Sequence, residues 1–252
     1  MAAEGTSIDA LSQFELVPAL GLVGRSVGFS QANLHMLLAV GLITGLMLWG
    51  MSRRAVVPGR LQALAEASYE FIHELVVGQV GDQGKRFFPF VFCLFMFVLF
   101  GNLLGLLPFA FTFTSHIAVT FALAALVFIL VTVVALSIHG THFFSYFFPE
   151  GAPKILAPLI IPIEVISYLS RPVSLSVRLF ANMVAGHVML KVFATFVVMI
   201  GSTAGVFGII GAALPLAVNV ALVGFELLVA FLQAYVFAIL TSIYLHDAVH
   251  LH

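Results

Sequence analysis

The stretch Ser174-Leu-Ser-Val-Arg178-Leu-Phe-Ala-Asn182-Met-Val-Ala-Gly186-His187 places an arginine, an asparagine and a histidine inside a long apolar segment. Arginine keeps its proton in proteins, so the charge of Arg178 is permanent. A charge at mid-membrane costs at least about 2.5–3.5 kcal/mol, and intramembrane charges therefore usually have a function. We interpret the rest of the chain as a scaffold that holds Arg178.

Composition places the chain among membrane proteins. Of its 252 residues, 62% are hydrophobic and 8% are charged. This predicts an all-α, polytopic integral membrane protein with a single membrane domain over residues 1–252. A net charge of −1 gives no electrostatic support for binding nucleic acid. Residues 1–30 lack a basic region followed by an apolar core, so we expect no signal peptide.

Five apolar segments are long enough to cross a bilayer as helices. They cover residues 32–51, 87–107, 116–139, 161–200 and 206–245. Residues 61–77 alternate apolar and acidic positions at helical spacing, which predicts an amphipathic helix on the cytoplasmic surface. Arg53, Arg54 and Arg60 follow the first segment, so the positive-inside rule places residues 1–30 outside and the C-terminus in the cytoplasm.

The last two segments are unusually long and are separated by the glycine-bounded residues 201–205. Each would be about 60 Å long as a helix, twice the hydrocarbon thickness of about 30 Å. Either they break, at Pro172 and Pro215, or they cross the membrane at a steep tilt. We favour a long, steeply tilted helical hairpin with some bending.

Polar residues of the fourth segment fall on two sides of one helix. At 100° per residue, Glu164, Arg171, Arg178 and Asn182 lie within about 40° of one another. His187 is nine residues after Arg178, so it points to the opposite side, about 14 Å farther along. Polar access from the inner side and from the outer side of the membrane therefore lies on different sides of this helix, which provides two water paths that do not meet.

The fifth segment has one formal charge, Glu226, and Gln233 follows it on the same helical face. In an antiparallel pairing, the register that places His187 opposite Glu226 also places Arg178 opposite Gln233. Both pairings require a turn near residue 206, next to the glycine-bounded break. The sequence therefore predicts contact between His187 and Glu226.

Simpler structural roles account for several other polar residues. Arg171 and Lys191 can reach the two interfaces by snorkelling. Asn102 is equally compatible with lining water and with bonding a neighbouring helix. His246 and His250 have a spacing that could hold a metal, but no further ligand completes a site, and we expect a solvated tail with no metal.

Two motifs together resemble subunit a of F-type ATP synthases, in its bacterial or mitochondria-like, proton-using branch. They are Ser-Val-Arg178-Leu-Phe-Ala-Asn182-Met-Val-Ala-Gly186-His187 and Phe100-Gly-Asn102-Leu-Leu-Gly-Leu-Leu-Pro108, accompanied by Glu226 and Gln233. The resemblance covers the chain from about residue 30. Many bacterial relatives carry Glu at the position of His187 and His at the position of Glu226, so the two residue types are exchanged here.

The resemblance implies a stator subunit of a proton-translocating complex, not an enzyme on its own, in a bacterial inner membrane. Its implied partners are a ring of c subunits, b-type peripheral stalk subunits, the rest of the synthase, membrane lipids and protons, with no cofactor. The matching arginine, Arg178, attracts ring carboxylates and prevents leakage between two half-channels. The resemblance further implies an outer half-channel with His187, Glu226, Gln233, Asn219 and Asn102, an inner half-channel with Glu164, Ser170, Ser174 and Tyr244, and a ring interface with Arg178, Asn182 and Gln233.

Two other functions remain open from the residues alone. A self-contained ion-coupled secondary transporter could use Arg178 to bind an anionic solute, although no internal repeat supports one. A purely structural membrane subunit would tolerate leucine at position 178. The transporter would move solute as a purified single chain in liposomes, whereas the stator would not.

Overall fold

The structure, a computed structural model, describes residue 14 and residues 30–52, 55–107, 110–147, 156–203 and 205–250. These residues form six α-helices and no strand: α1 (Gln31–Gly50), α2 (Arg60–Val80), α3 (Phe88–Gly105), α4 (Ile117–His139), α5 (Ala157–Thr203) and α6 (Val206–Val249). Short 3₁₀ helices cover Asp82–Arg86, Phe113–Ser115 and Gly140–Phe147. The predicted all-α class is confirmed.

Five of the helices, all except α2, are long and apolar enough to cross a membrane. Their bounds lie close to the predicted segments, but α5 and α6 are longer than predicted. Pro162 and Pro172 lie inside α5, and Pro215 lies inside α6, without interrupting either helix. The alternative in which these helices break at proline is therefore wrong. With 47 and 44 residues, they span about 70 and 66 Å.

Helices α5 and α6 form the predicted antiparallel hairpin. The turn contains Gly205, whose φ of +57° lies in the left-handed region that favours glycine. The hairpin thus turns next to the predicted position, residue 206. This close agreement fixes the register in which the polar residues of the two helices meet.

Helix α2 is amphipathic as predicted, but its apolar residues divide between two surroundings. Ala65, Ile72 and Val76 are buried, whereas Leu61 and Leu64 are exposed. Ile72 and Val76 pack in the core with residues of α3 and α6, whereas Ala65 lies against Gly50 of α1. The cytoplasmic side of this helix stays a prediction.

Helix α6 lies at the centre of the bundle, where it contacts α2, α3, α4 and α5, while α1 packs at the periphery against α2 and α3. The large side chains of Phe95, Met96, Leu179, Met183 and Phe237 are fully buried between these helices. The connection between α3 and α4 also enters the bundle, because Thr112, Phe113 and Thr114 are buried. That connection brings hydrogen-bonding groups against α5.

Candidate functional site

The ring of His187 lies between α5 and the α3–α4 connection. Its Nε2 atom is 2.8 Å from Thr112 Oγ1 and 3.0 Å from the carbonyl oxygen of Gly105. Its Nδ1 atom is 3.0 Å from the carbonyl oxygen of Met183, one turn earlier in α5. The ring is therefore held at both nitrogens.

Glu226 approaches the same ring from α6. Its Oε1 atom is 3.7 Å from His187 Nδ1, and the residue is 4% exposed. The Glu226 carboxylate occupies the space beside the Cα atom of Gly186, where a Cβ would overlap it. The predicted contact between His187 and Glu226 is confirmed, and it depends on a glycine at position 186.

Asn102 connects α3 to α6 near this pair. Its Nδ2 atom donates a hydrogen bond to the carbonyl oxygen of Ala230 at 3.2 Å, so the helix-to-helix bond anticipated from the sequence is present. Its Oδ1 atom is buried and accepts no hydrogen bond from the described residues. The same is true of Asn219 Oδ1 and Glu226 Oε1. Buried acceptors of this kind normally bind ordered water.

Gln233 is buried on the face of α6 that also carries Glu226. Arg178, its predicted neighbour on α5, is exposed, and no hydrogen bond joins the two side chains. The common register is thus supported by the contact of His187 with Glu226 and not by a bond between Arg178 and Gln233.

Arg178 lies on the exposed side of α5. No carboxylate of the described part of the chain forms an ion pair with its guanidinium. Asn182, one turn later, is partly buried. An arginine in the middle of an apolar helix, without an acid from its own chain, requires a counter-charge from elsewhere.

Arg171 differs from Arg178, although it lies seven residues earlier on nearly the same face. Its guanidinium is 3.3 Å from Asp247 Oδ2 and lies over the rings of Tyr168 and Tyr244, 5.4 and 5.1 Å from their centroids. The side chain is thus bound within the α5–α6 contact, and its predicted snorkelling to the membrane interface stays a prediction. The Tyr244 hydroxyl lies within electrostatic range of both Arg171 and Arg178.

The other residues predicted for the inner half-channel are not brought together by direct bonds. Glu164 is partly buried, and Ser170 and Ser174 are exposed. The Ser170 hydroxyl donates to the Ser167 carbonyl oxygen of its own helix at 2.7 Å. Among these candidates, Tyr244 alone contacts a charged residue of the hairpin.

Of the histidines near the C-terminus, His246 is partly buried and His250 is exposed, as expected of a solvated residue, while His252 lies outside the described residues. Helix α6 continues through His246 to Val249, and the His246 and His250 rings lie with centroids 4.7 Å apart at a tilt of 31°. His139 of α4 hydrogen-bonds the Ala248 carbonyl oxygen at 3.2 Å, which ties this end of α6 to the bundle. The described residues contain no group of three or more His, Cys, Asp or Glu that could hold a metal ion.

Sequence reasoning did not assign roles to four residues that shape the site. Thr112, Gly105 and Gly186 surround the His187–Glu226 pair, and Asp247 neutralises Arg171. Gly105 and Gly186 lay inside the quoted motifs, and their lack of a side chain was the available signal. Thr112 and Asp247 gave no signal, because their distances from His187 and Arg171 along the chain are 75 and 76 residues.

The geometry defines a polytopic helical membrane protein with a buried acid–imidazole pair and a separate exposed arginine. The family model of the ATP synthase A chain matches residues 33–246. The ATP synthase subunit a of Granulibacter bethesdensis is 66% identical over the full length of both chains. Subunit a of Acidiphilium cryptum is 55% identical over 99% of this chain and its own full length, and that of Rhodospirillum rubrum is 50% identical over 96% and 98%.

The chain therefore belongs to the ATP synthase A chain family. It is a subunit of a proton-translocating ATP synthase and not an enzyme on its own. Its bacterial relatives and its apolar helices make it a multi-pass inner-membrane protein.

Proposed function

We propose that this chain is the proton-conducting stator of the membrane sector, placed beside a ring of c subunits. Two offset half-channels bring protons to and from carboxylates of the ring, and Arg178 separates them. The observation that carries this proposal is Arg178 itself, an exposed cation on an apolar helix without a carboxylate partner in the described chain. A carboxylate of a neighbouring subunit would supply the missing charge.

The chemistry of such a neighbour follows from solvation. A ring carboxylate that faces lipid is protonated, because an anion in a low-dielectric medium is strongly disfavoured. Beside Arg178 the carboxylate is favoured as an anion, so the proton leaves there. Each elementary charge that crosses 100 mV releases about 2.3 kcal/mol, which can drive rotation if direct leakage is blocked.

We assign the outer half-channel to the region around His187 and Glu226. Three buried oxygen acceptors without protein donors, on Asn102, Asn219 and Glu226, support a path that holds water. Gln233 is buried on the same helix, seven residues after Glu226. Asn102 lies on α3, and Asn219, Glu226 and Gln233 lie on α6.

We assign the inner half-channel to the cytoplasmic end of the α5–α6 hairpin. Tyr244 supports this assignment because it lies near both arginines of α5. Helix α5 carries the other three candidates before Arg178 and can line the route from the cytoplasm with them: Glu164, Ser170 and Ser174. We also assign Asn182, one turn after Arg178, and Gln233 of α6 to the ring interface.

The remaining partners and the orientation belong to the same proposal. Exposed apolar residues of α5 and α6 around Arg178, such as Val177 and Leu227, give the ring a surface to slide against. The peripheral α1 is available to membrane helices of b-type stalk subunits. The basic residues near α1 and α2 support an outer N-terminus and a cytoplasmic C-terminus.

Replacement of Arg178 by alanine tests the proposal. We expect ATP-driven proton pumping in inverted vesicles to be lost, because no fixed cation would discharge the ring carboxylate. Val198→Ala is the control, since this residue of the same helix is also exposed, is uncharged and lies 20 residues from Arg178. Normal pumping by Arg178→Ala, in vesicles that contain assembled complex, would refute the assignment.

Single replacements of His187 and Glu226 test the outer path. Each should slow passive proton flux through membranes from which the soluble sector has been removed. Thr195→Val serves as control, because its hydroxyl bonds only the Lys191 carbonyl oxygen of its own helix. Wild-type flux in both variants would place the outer path elsewhere.

A further inference from the structure

Oxygen atoms surround the His187 ring at both nitrogens. Nε2 faces the Gly105 carbonyl oxygen at 3.0 Å and Thr112 Oγ1 at 2.8 Å. Nδ1 faces the Met183 carbonyl oxygen at 3.0 Å and Glu226 Oε1 at 3.7 Å. Three of these four oxygens, the two carbonyls and the carboxylate, can only accept hydrogen bonds.

A neutral imidazole carries a proton on only one nitrogen, so it can donate to only one of the two carbonyl oxygens. With the proton on Nε2, the lone pair of Nδ1 would face the carbonyl oxygen of Met183. With the proton on Nδ1, the lone pair of Nε2 would face the carbonyl oxygen of Gly105. Each neutral form therefore places two lone pairs about 3 Å apart, whereas an imidazolium donates to both carbonyls.

The Thr112 hydroxyl fits the charged form. Thr112 Oγ1 is 3.2 Å from the Gly105 carbonyl oxygen and can donate its proton there. Its lone pairs then face His187 Nε2. A half-turn of the ring offers no alternative, since it would present carbon atoms to the same oxygens. In the charged form, both ring nitrogens can therefore donate to their observed neighbours.

The charges around the ring are compatible with a buried cation. Glu226 on α6 supplies a carboxylate within 3.7 Å. On α5 the nearest titratable side chain is Lys191, one turn onward, which has interactions of its own. The α3–α4 connection presents the neutral Thr112 to the ring. Its titratable residue is His116, and His35 of α1 accepts a hydrogen bond from its Phe111 amide. Phe14 lies with its ring centroid 6.3 Å from the imidazole.

We propose that His187 is a fixed imidazolium, held by the Met183 and Gly105 carbonyls and positioned by Thr112, and that Glu226 alone carries the proton through this pair. This inference rests on the proposed function. A proton from the outer aqueous side adds to the Glu226 carboxylate and leaves it towards the ring carboxylate, while His187 keeps both of its protons. The buried Oε1 atom of Glu226, which accepts no hydrogen bond within the described chain, is open to receive that proton.

Nitrogen-15 NMR of the intact, membrane-reconstituted synthase tests the charge of His187 directly. The complex is labelled at histidine, and the spectrum of a His187→Gln complex is subtracted to isolate the His187 signals. We expect both nitrogens to be protonated even at about pH 7.5, one unit above the usual histidine pKa of about 6.5. A neutral imidazole under these conditions would overturn the proposal.

Thr112→Val tests whether Thr112 positions the His187 imidazolium. We expect roughly a tenfold loss of passive proton flux and a smaller imidazolium signal, because a hydrogen bond to a charged group is removed. Thr112→Ser should restore both, and Thr44→Val, whose hydroxyl bonds only its own helix, should change neither. Unchanged flux and signal in Thr112→Val would exclude a positioning role for Thr112.

Different results would overturn the fixed imidazolium and the proposed stator function. A neutral His187 in complexes whose pumping still requires Arg178 and Glu226 overturns the fixed imidazolium alone. Normal pumping in both Arg178→Ala and Glu226→Ala overturns the proposed stator function. If Thr112→Val does not assemble, the spectrum of the wild-type complex still decides the charge of His187.

Discussion

Gly186→Ala is the substitution whose consequence follows most directly from the structure. A Cβ at position 186 would overlap all three terminal atoms of the Glu226 carboxylate, so the carboxylate has to leave its site. Removing one partner of a buried ion pair costs about 3–5 kcal/mol. At about 1.4 kcal/mol per decade, the competent arrangement with His187 would become roughly two to three and a half decades rarer. We expect proton flux to fall close to background.

The assay compares ATP-driven pumping and passive proton flux in vesicles with equal amounts of assembled complex. Gly201→Ala is the matched control, because it lies in the same helix and its Cβ would meet Ala212 Cβ at an ordinary 3.7 Å. Both substitutions favour the helix by up to about 1 kcal/mol, so propensity does not distinguish them. Wild-type flux in Gly186→Ala would refute the view that the observed Glu226 position is the working one.

Three further predictions concern other parts of the bundle. Asp247→Asn should leave Arg171 without its carboxylate and reduce pumping per ATP hydrolysed more than it reduces assembly, measured by pumping at matched ATPase activity. Asn102→Leu should lower passive proton flux severalfold while changing stability by only about 0.5–1.5 kcal/mol, since one hydrogen bond to Ala230 is lost; flux and thermal unfolding of the complex separate the two effects. Burial lowers the pKa of His116 below its usual 6.5, so its contribution to stability is full above that pH and declines as the pH falls below it. The melting temperature of the wild-type complex should therefore drop more between about pH 7.5 and 5.5 than that of His116→Phe.

Much of the fold could be predicted because membrane helices are specified by local sequence. Apolar length fixed the five long helices to within a few residues, except where α5 and α6 extend past the hydrophobic segments. Pro172 and Pro215 suggested helix breaks that the structure does not contain. Neighbouring helices and local adjustments can satisfy the backbone groups freed by proline in such helices, as in the continuous α5 and α6 here.

The site was predictable where it depends on two facing helices. Helical periodicity and a glycine-bounded turn were sufficient to place His187 against Glu226. The Nε2 side of the ring could not be predicted, because it depends on the irregular connection that carries Thr112. Periodicity does not apply to such a segment. The packing of Gly105 against Thr112 becomes visible only when α3, the connection and α5 are in place.

The two arginines of α5 differ in whether a carboxylate of the described chain pairs with them. Arg171 and Arg178 are seven residues apart, so they share a face and lie about 10 Å apart along the axis. Either could attract a passing carboxylate, and two equivalent cations would hold it over a broad stretch of the interface. Asp247 neutralises Arg171 at 3.3 Å, whereas no carboxylate of the described chain neutralises Arg178. On the face that the two arginines share, the positive charge without a carboxylate partner in the described chain is thereby confined to Arg178, as the proposed boundary between two half-channels requires.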